Sequence, residues 1–122
     1  MKKTVLLIED NAQNSYLTTF LLESQGFAVV SASDGAAGIK LAQQTLPDLI
    51  LLDIQLPMMD GYAVARALRA IESLKLTPII AVTSYAMVGD REKCLAAGCN
   101  GYIEKPINPE TFVAEVSTFL TS

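Results

Sequence analysis

The chain alternates short apolar runs with longer segments that mix apolar and polar residues. The runs cover residues 5–8, 28–32, 49–52 and 79–82, with a weaker fifth at Tyr102 and Ile103. Each run has the length of a β-strand, and each segment between runs is long enough for a helix. This alternation predicts an α/β fold with a parallel sheet.

The third and fourth runs predict the centre of that sheet. Residues 49–52 and 79–82 are apolar at every position. Strands without polar alternation are covered on both faces, as in parallel sheets. Right-handed crossovers then place helices on both sides. The predicted fold is therefore a doubly wound, five-stranded parallel sheet with helices on both faces.

The segments between the runs carry start and stop signals for helices. The first helix is predicted over residues 14–25, where apolar side chains recur at three and four residues (Leu17, Phe20 and Leu21) and Gly26 caps the end. Four further helices are predicted: from Asp34 to about Thr45 before Pro47, after Gly61, ending at Gly98, and from an Asn108 cap through Pro109 to about Leu120.

Composition narrows the class of protein. The 122 residues are 51% hydrophobic and 18% charged, which is typical of one globular domain with a real core. The net charge of -4 argues against nucleic acid or an anionic membrane as a partner and favours a cation as ligand. We expect one domain over residues 1–122, with no output domain.

Targeting and cysteine signals point to the cytoplasm. The apolar stretch after "MKKT" is too short for a signal-peptide core, and no run is long enough to span a bilayer. Two cysteines, Cys94 and Cys99, are too few for a disulfide framework, and the chain has no histidine for a zinc site. We interpret both as ordinary buried or half-buried cysteines.

Polar residues follow the apolar runs directly, where ligands bind in open parallel sheets. They are three acids, two hydroxyls and an amine: Glu9, Asp10, Asp53, Thr83, Ser84 and Lys105. Carboxylates brought together repel one another unless a cation intervenes. Hard oxygen ligands without histidine or cysteine suit Mg²⁺. A magnesium site at this edge of the sheet is the prediction.

Each of these residues also has an ordinary structural interpretation. Glu9 and Asp10 suit the start of a helix, since acids favour helix N-termini. Lys105 alone would be a solvated turn residue, and Thr83 alone a strand-end hydroxyl bonded to backbone. Their common position after the strands favours the functional interpretation, because unrelated polar residues would be scattered over both edges.

Four motifs in order carry a family resemblance: "LLIEDN", "PDLILLDIQLPMMDGY", "PIIAVTS" and "GYIEKPIN". With these motifs the chain resembles the receiver domain of two-component response regulators over nearly its whole length. It is most similar to single-domain regulators of the cell-division-control type and to receivers of hybrid kinases. The resemblance implies a flavodoxin-like sheet with strand order 2-1-3-4-5.

The resemblance also implies a role for each site residue. Asp53 is the phosphoacceptor, and Mg²⁺ is held by Glu9 through water, by Asp10 and Asp53 directly and by the backbone carbonyl of Gln55. Thr83, Ser84 and Lys105 contact the phosphoryl group. Thr83 and Tyr102 form the switch, and the peptide bond before Pro106 is cis, although trans is the ordinary state of such bonds.

Other features of the motifs have structural interpretations. Met58 and Met59 suit loop packing, and Gly61 closes a turn after Asp60. Tyr85 and Met87 suit either a partner-binding patch or loop packing.

The function implied is that of a stand-alone response regulator, not an enzyme on other substrates. A sensor histidine kinase or a histidine phosphotransfer protein donates the phosphoryl group, and a downstream protein binds helices 4 and 5 and strand 5. Three alternatives stay open: a receiver fragment of a larger hybrid kinase, a pseudo-receiver that serves as an interaction scaffold, and an aspartyl phosphohydrolase. The last expects an acid where Gln55 stands.

Overall fold

The structure of the chain is a computed structural model that describes residues 2–56, 58–84 and 89–120. Five strands alternate with five helices, and a short 3₁₀ turn (Glu72–Leu74) follows the third helix. The elements are β1 (Thr4–Ile8), α1 (Ala12–Ser24), β2 (Ala28–Ala32), α2 (Gly35–Thr45), β3 (Leu49–Asp53), α3 (Gly61–Arg69), β4 (Ile79–Thr83), α4 (Asp90–Ala96), β5 (Gly101–Glu104) and α5 (Phe112–Thr118).

All strand pairs are parallel, and the sheet order is β2-β1-β3-β4-β5. The α/β class, the strand order and the central position of the third and fourth strands are thus confirmed. Every residue of β3 and β4 is buried. Such strands need cover on both faces, which the helices provide.

Side chains alternate between two cores along the strands. On β3, Ile50 and Leu52 face a core formed with α2, α3 and α4. Leu49 and Leu51 face the opposite core, formed with α1 and α5. Because side chains alternate in this way, two consecutive residues at the end of a strand point to opposite faces of the sheet. Among the described residues, no helix is long and apolar enough to cross a membrane.

Side-chain caps fix where three helices begin. Asn11 accepts a hydrogen bond from the Asn14 amide at 2.9 Å, and Asp34 accepts one from the Ala37 amide at 2.8 Å. Asp60 caps α3 by accepting from the Tyr62 amide at 2.8 Å. Each cap satisfies an amide that has no partner inside its own helix.

The first helix differs from its prediction. It begins at Ala12 instead of residue 14, because Asn11 supplies the cap. Its apolar positions do not all face the core: Leu17 is 41% exposed and Phe20 60% exposed, whereas Thr18 and Leu22 are buried. The stripe that identified the helix therefore lies largely on its solvent side.

The last helix, by contrast, begins later than predicted. The carbonyl of Asn108 accepts from the amides of Thr111 at 3.1 Å and Phe112 at 2.9 Å. Residues 109–111 form a tight turn, and α5 begins at Phe112. Tight i,i+3 bonding of this kind is frequent at helix ends, where it delays the regular helix.

Candidate functional site

The carboxyl ends of four adjacent strands form the candidate site. The register pairs Ile8 with Leu52, Asp53 with Val82 and Thr83 with Glu104. Glu9 and Lys105 each come one residue after a paired position, on the two sides of Asp53. Because side chains alternate between the two faces along each strand, Glu9, Asp53 and Lys105 lie on the same face of the sheet.

Three carboxylates converge at this edge. Glu9 and Asp53 are buried, at 6% and 4% exposure, whereas Asp10 is exposed. One oxygen from each of the three lies within 4.8 Å of the others. Such a concentration of negative charge is unfavourable without a cation. The hard oxygen atoms fit a divalent ion such as Mg²⁺.

The Lys105 ammonium lies between the two buried carboxylates. Its Nζ is 2.9 Å from Glu9 Oε1 and 3.2 Å from Asp53 Oδ2. Burial of Lys105 disfavours its charge, but the hydrogen bond to Glu9 and the charge of Asp53 outweigh it and raise the pKa of Lys105. The lysine is therefore a fixed cation beside Asp53.

One ammonium does not neutralise two buried carboxylates. Burial, followed by the hydrogen bond to Asp53, raises the pKa of Glu9 from 4.5 to about 7, although Lys105 opposes the shift. At pH values below about 7, the Glu9 carboxyl therefore keeps its proton when no cation is bound. A bound cation would stabilise the ionised Glu9 carboxylate and so favour release of that proton.

This raised pKa predicts a pH dependence of stability. Without Mg²⁺, the free energy of unfolding should fall as the pH rises from about 4.5 to about 7. In that window native Glu9 retains a proton that the unfolded chain has released, so the native state binds more protons and loses stability with rising pH. Urea unfolding across the window, in the presence of a metal chelator, measures the slope.

The matched variant is Glu9→Gln, which keeps the size of the side chain and removes the titrating group. Its unfolding free energy should lack the decrease contributed by Glu9. An equal decrease in the wild type and in Glu9→Gln would show that another group titrates.

Backbone amides orient both buried carboxylates. The Gln55 amide donates to Asp53 Oδ1 at 2.9 Å, and the Asn11 amide donates to Glu9 Oε2 at 3.2 Å. Because Lys105 contacts Asp53 Oδ2, both oxygens of Asp53 are engaged. The Asp53 carboxylate is held in one orientation at the end of β3.

The side chain of Gln55 reaches across to the end of β4. Its Nε2 donates to Thr83 Oγ1 at 2.6 Å, and its Oε1 accepts from the Ser84 amide at 3.1 Å. Thr83 is buried and Ser84 is exposed. The sequence interpretation assigned a ligand role only to the backbone carbonyl of Gln55 and did not predict this side-chain contact.

Tyr102 lies on the same face of the sheet as Thr83, but deeper. Tyr102 pairs with Ala81, two residues before Thr83 on β4, whereas Thr83 pairs with Glu104. Tyr102 therefore lies two residues further from the carboxyl edge of the sheet than Thr83. Tyr102 is half-buried against the core formed with α2, α3 and α4.

The peptide bond between Lys105 and Pro106 is cis. Tyr85 and Met87 lie outside the described residues.

The loop after β3 returns to the strand at Gly61. The Gly61 amide donates to the Ile54 carbonyl at 3.2 Å, and a Cβ at Gly61 would collide with the Ile54 backbone. Glycine is required here because the atoms in the way belong to the backbone, which cannot move aside as the end of a flexible side chain could. Asp60, which caps α3, is a structural residue of the same loop.

Comparison with known proteins decides the family. A model of the response regulator receiver domain matches residues 5–117. The chain belongs to the response regulator receiver family. This membership confirms the resemblance carried by the four motifs. Members of the family are the signalling switches of two-component systems, and the family's role is that of a switch controlled by phosphorylation.

Individual receivers match along their whole length. The polar-differentiation response regulator DivK of Brucella ovis is 40% identical over 120 residues, which are 98% of each chain. The receiver domain of the sensor histidine kinase PA1611 from Pseudomonas aeruginosa PAO1, solved with magnesium in its active-site cleft, is 37% identical with a TM-score of 0.91 and 100% coverage of both chains. The chemotaxis response regulator CheY4 of Vibrio cholerae has a TM-score of 0.93 at 28% identity, covering 98% of this chain and 100% of its own.

Proposed function

We propose that this receiver is a Mg²⁺-dependent phosphoacceptor and that Asp53 receives the phosphoryl group. The supporting observation is the state of Asp53: it is buried, both of its oxygens are engaged, and an ammonium lies 3.2 Å from Oδ2. Glu9 and Asp10 lie beside it with oxygens in reach of a shared cation. The donor is a phosphohistidine of a sensor histidine kinase or of a histidine phosphotransfer protein.

The transfer requires alignment and charge neutralisation more than covalent assistance. A carboxylate oxygen of Asp53 forms the new bond to phosphorus, and the bond from phosphorus to the donor imidazole nitrogen breaks. Lys105 supplies positive charge next to the acceptor. Glu9 through water, Asp10, Asp53 and the Gln55 carbonyl would hold Mg²⁺, which neutralises charge on the phosphoryl oxygens when bound.

The output follows from the neighbours of Asp53. An acyl phosphate adds charge and acceptor oxygens, and Thr83, Ser84 and Lys105 are the groups at the strand ends that bind them. Movement of Thr83 opens space on the face where Tyr102 lies, and Tyr102 repacks. A groove of about 410 Å³ between β5 and α5, lined in part by Tyr102, Pro106 and Phe119, belongs to the surface offered to a downstream protein.

The chemistry of this receiver is directed at itself: it takes up the phosphoryl group on Asp53 and later loses it to water. Water attacks the phosphorus of the acyl phosphate and the bond from phosphorus to the Asp53 oxygen breaks. The Asp53 carboxylate is restored, and inorganic phosphate leaves with the oxygen of the water, whose protons pass to phosphate and solvent. The chain acts as a stand-alone regulator, in keeping with its coverage of 98% of the DivK relative. A receiver within a hybrid kinase is the second candidate, favoured by full-length similarity to the PA1611 receiver.

The test is the intact mass of the protein after incubation with acetyl phosphate, with Mg²⁺ and with a chelator. We expect a gain of one phosphoryl group that requires Mg²⁺. If neither acetyl phosphate nor a set of purified phosphohistidine donors produced the gain, the phosphoacceptor proposal would be wrong and the scaffold alternative would replace it.

A further inference from the structure

We propose that the Gln55 side chain is a positioning residue that holds the end of β4 in its unphosphorylated conformation and competes there with the phosphoryl group. The proposal rests on the proposed function, because it concerns the same Thr83 and Ser84. It assigns to the carboxamide of Gln55 a role separate from the metal-binding role of its backbone carbonyl.

One carboxamide engages two successive residues of β4 and its loop. Gln55 Nε2 is 2.6 Å from Thr83 Oγ1, and the Ser84 nitrogen is 3.1 Å from Gln55 Oε1. The Ser84 amide is only a donor, so the atom facing it must be the carboxamide oxygen, and this leaves the NH₂ group for Thr83. The Ser84 amide thus fixes the orientation of the carboxamide, and the Thr83 hydroxyl, which can accept as well as donate, is compatible with it.

The same groups are needed by the phosphoryl group. A backbone amide has one proton to donate, and that of Ser84 is directed at Gln55 Oε1. A phosphoryl oxygen that accepts from Ser84 must displace the carboxamide. The bond from Gln55 Nε2 uses Thr83 Oγ1 as an acceptor and holds that oxygen at the Gln55 side of the loop. At the Ser84 amide, the Gln55 contact and a bond to a phosphoryl oxygen therefore exclude one another, whereas at Thr83 the Gln55 contact restrains the position of the hydroxyl.

Gln55 is also tied to the acceptor itself. Its amide donates to Asp53 Oδ1 at 2.9 Å, only two residues along the chain. A change at the Asp53 carboxylate therefore acts on the backbone of the residue whose side chain holds β4. This gives a direct connection between the acceptor on β3 and the switch on β4.

Removing the carboxamide should favour the phosphorylated conformation. A typical net hydrogen bond corresponds to a factor of about two to ten in an equilibrium constant. We expect Gln55→Met to raise the affinity for the phosphoryl mimic beryllofluoride by about threefold to thirtyfold. Methionine keeps the length of the unbranched side chain without its amide. Gln55→Asn keeps the amide but is one methylene too short, and it should behave like Gln55→Met.

The experiment is a beryllofluoride titration with saturating Mg²⁺, followed by the backbone amide resonance of Ser84 in ¹⁵N-labelled protein. Gln43→Met, at an exposed position of α2, is the matched control and should bind like the wild type. In a Thr83→Ala background, the increase caused by Gln55→Met should shrink, because one of the two contacts that hold the carboxamide is already gone.

The outcomes separate this proposal from the proposed function. Tighter beryllofluoride binding by Gln55→Met and Gln55→Asn, with a smaller effect in the Thr83→Ala background, supports the competition. Equal or weaker binding by both variants overturns it, while the phosphoacceptor role stands. If the wild type itself did not bind beryllofluoride with Mg²⁺, the phosphoacceptor role would fall, and the competition with it.

Discussion

Replacing Asp53 with asparagine is expected to abolish phosphorylation by acetyl phosphate, with a loss of at least about a thousandfold in rate. The carboxamide is a poor nucleophile, but it has nearly the shape of the carboxylate and its oxygen still accepts from the Gln55 amide. The fold should therefore persist. The measurement is intact mass over time with Mg²⁺, accompanied by urea unfolding of the same variant.

Asp34→Asn is the matched control for this substitution. Asp34 caps α2 through a bond from the Ala37 amide, and asparagine is an equally good cap. Phosphorylation of this variant should equal that of the wild type. Retention of the full mass gain in Asp53→Asn, at the wild-type rate, would mean that another residue is the acceptor.

The candidate site was predictable because its residues lie at strand ends. In a parallel sheet, a residue that directly follows a strand reaches the same edge whatever the details of packing. Asp53 and Lys105 are 52 positions apart in the chain, yet their side chains are in contact. The short apolar runs sufficed to find this edge, since they mark each strand within a residue of its observed bounds.

Contacts of long polar side chains were not predictable in the same way. Gln55 and Arg69 are ordinary surface residues by type, and only the tertiary structure shows which acceptors and donors they reach. The orientation of α1 was also beyond the pattern. Its apolar residues occupy more than one stripe, so periodicity identifies the helix without identifying the stripe that meets the sheet.

The second large effect concerns Arg69, at the end of α3. Its guanidinium makes six hydrogen-bond contacts, all to neutral oxygens: Gly98 O (two contacts), Leu74 O, Lys75 O, Thr77 O and Asn100 Oδ1. Asn100 Oδ1 also accepts from the Ile79 amide at 2.9 Å. One side chain thus joins α3 to the segments that lead into β4 and β5.

Arg69→Met is expected to lower the free energy of unfolding by about 3 kcal/mol, because it leaves several half-buried carbonyls without their donor. Arg69→Lys should recover only part of this loss, since an ammonium lacks the planar fork that serves acceptors on both sides. Urea unfolding of both variants measures the two effects.

Arg66→Met, on the exposed side of the same helix turn, is the control and should change stability by less than about 0.5 kcal/mol. A loss of similar size in Arg66→Met and Arg69→Met would assign the effect to helix α3 in general and not to the guanidinium contacts. Arg69 acts at the start of β4 and β5, whereas Thr83 is the last residue of β4 and Lys105 directly follows β5. Folded Arg69→Met should therefore still be phosphorylated at Asp53. Stability and chemistry would then depend on opposite ends of the same two strands.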